Sequence, residues 1–220
     1  MPATPYLRVD LARLRHNIGR TAQRADAAGV ALRPHVKTHK SMEVARLQLA
    51  AGARGISVAT IGEAETFVRH GVNDVFVAYP LWLDEDSAGR LRDLVADAMV
   101  AIGVDSVAGA ANAGRLLGDS PVEALVEVDC GQRRSGVLPH DAAAVATAAQ
   151  RTGLSVRGVF TFPGHSYAPD ALASAADDEA AALRAIGLEG IMAKQRHSTY
   201  LPGKRNESWL KIKTRQTLEC

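Results

Sequence analysis

Short apolar runs rich in β-branched residues recur along the chain with helical stretches between them, and this alternation restricts the fold more than any other feature. ALRPHV (31–36), GISVAT (55–60), DVFVAYP (74–80), MVAIGV (99–104), EALVEVD (123–129) and VRGVFTF (156–162) are each followed by an amphipathic or Ala/Leu/Arg-rich segment. Strands alternating with helices of about 10–15 residues imply βα units and a parallel sheet. The runs are apolar at nearly every position, as strands covered on both faces require. Ahead of them, YLRVD (6–10) leads into an amphipathic stretch reaching about Ala28. Counting from ALRPHV gives six βα units, whereas a closed barrel has eight and runs to about 250 residues. The expected fold is α/β: an incomplete (β/α)8 TIM-type barrel with a short, hairpin-like C-terminal tail.

The tail is set apart by composition. Residues 186–220 hold 7 Lys+Arg against 3 Asp+Glu, although the whole chain has a net charge of only +2. Alanine fills 8 of the 15 positions in 171–185, and Ala193 is the single one after 186. Two segments are therefore expected, 1–185 and 186–220, with the change falling inside a helical pattern. At 220 residues and 47% hydrophobic content the chain has material for a core and is neither disordered nor fibrous in type. No apolar run approaches the ~18 residues of a membrane span, and no charged-then-apolar leader opens the chain. Cys130 and Cys220 make no disulfide framework, so the expected compartment is the cytoplasm.

Polar and glycine-rich clusters fall just after the strand runs, where α/β proteins carry their sites. In RPHVKTHK (33–40), Lys37 is flanked by His35 and His39. A lysine in a partly desolvated setting can form a Schiff base with an aldehyde cofactor or a carbonyl substrate. DCGQRRSGV (129–137) offers Arg133 and Arg134, fixed cations suited to a phenolate, carboxylate or phosphate. FPGHSY (162–167) offers His165 and Tyr167 as acid or base. Taken alone, the basic run around Lys37 reads equally as a solvated loop, one of the two arginines reads as a surface residue, and a lone loop histidine is more often surface than catalytic. Three such clusters at three strand ends favour a site.

The opening TPYLRVDLARLRHNI, the block RPHVKTHK, then TIGEAE, VDCGQRRSGV and GVFTFPGHSY, in that order, resemble the fold-type III pyridoxal-phosphate enzymes. The nearer resemblance is to the D-serine dehydratase/D-threonine aldolase branch, relatives of the alanine racemase N-terminal barrel, over residues 4–185. It implies pyridoxal 5'-phosphate as cofactor, a small D-amino acid as substrate and a lyase reaction. It implies that Lys37 is the Schiff-base lysine and general base, and that Arg134 faces the cofactor's phenolic oxygen. His35, His165 and Tyr167 would line the cofactor pocket, with His165 near the reacting atoms. The family's further barrel strands, and the C-terminal β domain that carries a divalent metal and meets its partner in a homodimer, have no counterpart after Ala185. No metal site is therefore expected, and activity is expected to be impaired or absent.

The tail is similar to a different family, the ATP-dependent DNA ligases. EGIMAK and WLKIK resemble two motifs of their nucleotidyltransferase core, with YLPGKRNES between them. The resemblance implies nucleotide contacts for Glu189, Lys194, Lys211 and Lys213. Such a ligase also needs a Lys-x-Asp-Gly nucleophile, and the chain contains no Asp-Gly dipeptide. Ligation is not expected, and the basic tail could add only weak, non-specific contact with nucleic acid. The expectation is a lyase-like body joined to a ligase-like fragment. The alternative is a nucleotide- or nucleic-acid-binding protein in which the tail is the working part.

Overall fold

The computed structural model describes residues 6, 8–168, 172–186, 190–194 and 209–213, the backbone alone for 172–173 and for the last two segments. Five strands form a sheet in the order β1-β2-β3-β4-β5: Ile56–Val58, Asp74–Pro80, Met99–Val104, Glu123–Val128 and Ser155–Thr161. Between and around them lie α1 (Leu11–Ala27), α2 (Met42–Ala50), α3 (Ile61–Arg69), α4 (Glu85–Leu94), α5 (Val107–Leu117), α6 (Ala142–Arg151) and α7 (Leu172–Ala185). The chain divides into two compact units, residues 1–79 with 89–101 and residues 80–88 with 102–220.

In the first unit β1 pairs in parallel with β2, Ile56 opposite Val75 and Val58 opposite Val77, and all four side chains are fully buried. Ala64, Phe67 and Val68 of α3 are buried as well, so apolar area is removed from water on the sheet and on the helix face together. The expected strand at ALRPHV is reduced to one bridge, His35 with Ser57. Arg54 N–H donates to Leu32 O and Ser57 N–H to Pro34 O, at 3.0 and 2.8 Å. Pro34 itself has no N–H to give, so the ladder cannot continue. Five strands and this bridge stand where six strands were expected.

One buried polar arrangement braces this unit. Arg33 donates to the Asp74 carboxylate at 2.6 Å and reaches the carbonyls of Ile56 and Asp74 at 3.3 and 3.4 Å. The guanidinium lies where Gly55 has no side chain: a Cβ there would sit 2.5 Å from Arg33 Nη1 and from Asp74 O.

In the second unit β4 and β5 pair in parallel with a register shift, Ala124 opposite Val156 and Leu125 opposite Gly158. Arg157 is the extra residue of this bulge, and its guanidinium meets Glu123 at 3.0 Å. Ser106 caps α5, accepting from Gly109 N at 3.0 Å. A Cβ on Gly114 would fall 1.9 Å from Thr152 Oγ1, so α5 approaches the end of α6 more closely than any larger residue permits. Helix α7 ends at Ala185. The change of composition therefore coincides with a helix terminus and does not fall mid-helix. Beyond it, β6 (Gly190–Lys194) and β7 (Trp209–Lys213) pair antiparallel, Gly190 opposite Lys213 and Lys194 opposite Trp209, matching the expected hairpin-like tail. Glu189 and Cys220 lie outside the described residues, and only the backbone of Lys194, Lys211 and Lys213 is described. Among the described residues, no helix is long and apolar enough to cross a membrane.

Candidate functional site

Lys37 sits in a 3-10 turn, Val36–Thr38, directly after the segment bridged to β1. Val36 is fully buried and pins the turn, while Lys37 is exposed. The ring of His35 caps the turn by accepting the Lys37 backbone N–H on Nδ1 at 3.3 Å. His39 does the same one turn later, accepting Ser41 N–H at 3.0 Å just ahead of α2. The spacing His-x-Lys and His-x-Ser thus has a backbone reason that side-chain chemistry alone did not suggest. Burial holds His35 below its ordinary value of 6.5, helped by the Lys37 charge and opposed by Glu63. A neutral ring is what the Nδ1 acceptor role requires.

The TIGEAE segment supplies the other wall. Thr60 Oγ1 accepts from Glu63 N at 3.1 Å, and the Glu63 carboxylate turns back to accept from Ala59 N at 2.8 Å, a variant of the capping box. The same carboxylate meets Lys40 Nζ at 3.0 Å, with Lys40 held in the left-handed region at φ 47. Burial pushes Glu63 upward, but the Ala59 amide and Lys40 outweigh it, leaving the carboxyl below its ordinary value.

In the second unit, the loop after β4 folds back on its own strand. Asp129 Oδ1 accepts from Gly131 N and Arg133 N at 2.9 and 3.0 Å, while Val137 N–H returns to Glu127 O at 2.9 Å. Gly131 and Gly136 have φ of 112 and 94, and a Cβ on Gly136 would lie 2.8 Å from Asp129 N. Both glycines are therefore demanded by the path of the backbone. The loop exposes Arg134, whose Cζ stands 4.6 Å from the centroid of the Phe162 ring. Phe162 in turn meets Tyr167 edge to face at 6.2 Å. Arg134 and Tyr167 are thus joined through an aromatic ring that the sequence did not single out. Tyr167 is 78% exposed.

His165 lies beside Gly131 and Asp178 of α7, its Nε2 3.4 Å from Asp178 Oδ2. That contact is not aligned as a hydrogen bond, and neither ring nitrogen of His165 has a hydrogen-bond partner among the described residues. A depression of about 400 Å3 next to it is lined by Asp129, Cys130, Gly131, Arg133 and Asp178, among others. Cys130 is buried, and desolvation, with Glu179 second, pushes its thiol up to about 11, so it is not a nucleophile at neutral pH. Thr161 at the end of β5 donates to Glu179 of α7. Among the described residues no group of His, Cys, Asp and Glu is arranged to hold a metal ion.

Each unit therefore presents ionisable side chains on loops that follow strands of a parallel sheet, the arrangement of βα proteins that work at the carboxyl ends of their strands. The model of the alanine racemase N-terminal domain matches residues 9–198, and the chain belongs to that family. The match runs past Ala185, where the sequence changes in composition. D-threo-3-hydroxyaspartate dehydratase of Delftia sp. (strain HT23) is 41% identical over 202 residues, covering 84% of this chain and 52% of that protein. Its solved structure superposes with a TM-score of 0.75 over 84% of this chain and 51% of that one, at 36% identity. D-threonine aldolase from Filomicrobium marinum gives a TM-score of 0.72 at 29% identity, over 86% of this chain and 54% of that one. An uncharacterized protein of Mycobacterium tuberculosis (strain ATCC 25618 / H37Rv) is 47% identical over 128 residues, 57% of this chain and 75% of that protein. The chain spans about half the length of the relatives whose activity is named.

Proposed function

We propose that the chain is a pyridoxal-phosphate-binding, lyase-like protein whose substrate class is a small D-amino acid. The observation that supports this most is the His35–Thr38 turn, which presents the side chain of Lys37 while its backbone N–H is held by the His35 ring. An amine so placed suits an aldehyde group, and the exposed guanidinium of Arg134 suits an anionic ring oxygen. Pyridoxal phosphate, when bound, supplies an electron sink for a bond broken at the substrate α-carbon. Lys37 would hold it and take up or release a proton at Nζ. Arg134 would hydrogen-bond the anionic oxygen, its planar group kept in place by Phe162. His165, whose ring nitrogens have no hydrogen-bond partner among the described residues and whose Nε2 stands 3.4 Å from Asp178, can give or accept a proton. His35 and Tyr167 are assigned to the same cofactor by the resemblance. The hydroxyaspartate dehydratase and D-threonine aldolase relatives support a D-amino acid substrate. A second copy of the chain is the proposed partner, and the cytoplasm the proposed setting on cysteine usage alone.

The test is absorbance on titration with pyridoxal phosphate. A near-visible band that Lys37→Ala abolishes is the expected result, and a wild-type protein without a band refutes the reading.

The pairing of β6 with β7 supports a second, subordinate reading for residues 186–220, proposed as a segment of ligase type. Lys211 and Lys213 stand at alternate positions of β7, opposite Met192 and Gly190. With no Asp-Gly dipeptide in the chain, incubation with labelled ATP should leave no covalent adenylate. A labelled lysine would overturn that expectation.

A further inference from the structure

Glu127 is a buried carboxyl to which the reading above gives no role. It lies on β4, two residues ahead of the Asp129–Val137 loop, and is 3% exposed. Its Oε1 accepts from Ser135 Oγ at 3.1 Å, its main-chain oxygen accepts from Val137 N at 2.9 Å, and its Oε2 has no hydrogen-bond partner among the described residues. Ser135 is the neighbour of Arg134. The glycine after it permits the approach: a Cβ on Gly136 would stand 3.2 Å from Glu127 Cγ. The loop is thus fastened at both ends, by Asp129 accepting Gly131 and Arg133 amides and by Glu127 accepting Ser135 and Val137. Arg134 lies between the two.

We propose that Glu127 is a positioning residue: through Ser135 it fixes the path of the 129–137 loop and so the place from which Arg134 offers its guanidinium to an anionic ligand. A buried carboxyl on a strand costs desolvation unless it is hydrogen-bonded, so a merely structural position would be filled more favourably by an aliphatic side chain. Burial raises the carboxyl above its ordinary value, the Ser135 hydrogen bond and Arg134 pulling it down and Asp105 and Asp129 pushing it up. Asp105 also takes the Gly136 N–H, at 3.4 Å. The role of Arg134 rests on the pyridoxal-phosphate reading; the fastening of the loop does not.

The experiment uses the full chain and the variants Ser135→Ala, Glu127→Gln and Glu127→Leu. Ser135→Ala removes the hydrogen bond without opening the core, so it remains informative if Glu127→Leu fails to fold. Amide exchange at Arg133, Gly136 and Val137, referenced to amides of β4 and β5, reads the loop. Titration with pyridoxal phosphate, followed at the near-visible band, reads Arg134. Ser135→Ala should exchange about tenfold faster at the loop amides alone and bind the cofactor about tenfold more weakly, the upper end of what one hydrogen bond contributes. Glu127→Gln, which keeps an acceptor for Ser135, should leave both near the wild-type values. Loop exchange unchanged in Ser135→Ala, or Glu127→Gln behaving as badly as Glu127→Leu, would overturn the proposal. If the wild type shows no band, the cofactor reading falls, and the exchange arm still decides whether Glu127 fastens the loop.

Discussion

His35 accepts the backbone N–H of Lys37 on its ring while facing the charge of that same lysine. Protonating the ring would remove the acceptor and set two cations side by side. Burial first and the Lys37 charge second hold the ring below 6.5, so Lys37→Met should move its midpoint part of the way up towards the ordinary value. Ring proton shifts against pH measure both. A wild-type midpoint at or above 6.5 contradicts the arrangement.

The sign of the stability effect follows from the same contact. The folded state binds the His35 proton less tightly than the unfolded chain, so stability is present above the unfolded value and is lost as pH falls from 6.5 through the lowered folded value. Glu63, also lowered, adds a loss that begins below its ordinary 4.5. Glu127 acts oppositely: its raised folded value costs stability as pH rises from 4.5 through that value. Denaturation midpoints of wild type and His35→Ala should converge as pH falls below 6.5, because the mutant lacks the first of these losses.

Asp74→Ala should leave the Arg33 guanidinium partly buried without its carboxylate, at a cost of roughly 3 kcal/mol. Gly55→Ala should destabilise by about 1–3 kcal/mol, since its Cβ meets the Asp74 carbonyl as well as the more yielding arginine. Urea unfolding measures both. A Gly55→Ala protein as stable as wild type would show that the approach is looser than described.

The contact of Gly114 with Thr152 can be tested by compensation. Gly114→Ala alone should cost about 1–3 kcal/mol. In a Thr152→Gly background, where Oγ1 and Cβ are gone, most of that cost should vanish. A double-mutant cycle with no coupling energy would refute the steric account.

Cys130 should be silent towards thiol reagents near neutral pH in a Cys220→Ser protein, reacting only after unfolding, because its thiol is buried and pushed up to about 11. Rapid labelling of the native protein would contradict its placement.

The alternation of apolar runs with helical stretches was sufficient to locate five strands and the helices after them, because two-sided burial leaves a continuous apolar signature. It overcounted at ALRPHV. There hydrophobicity was right but Pro34 withholds a ladder donor, which a closer reading of that residue would have anticipated. GIMAK and WLKIK coincide with β6 and β7. Of the candidate residues, Lys37 stood out as a lysine directly after an apolar run, whereas residue type left Arg133 and Arg134 level and only the family resemblance chose Arg134. Phe162 under Arg134 and Asp178 beside His165 could not be picked out, since those pairings are made by loops and helices that meet only in the folded chain. Glu127 did leave a trace, a carboxylate inside the apolar run EALVEVD.

The Glu63 carboxylate accepts the Ala59 amide, pairs with Lys40 and contributes to the field at His35, while its backbone N–H is the donor that Thr60 caps. A side chain carrying three duties cannot drift independently. In a deep mutational scan it should emerge as a hub of epistasis, its tolerated alleles depending on what occupies positions 35 and 40.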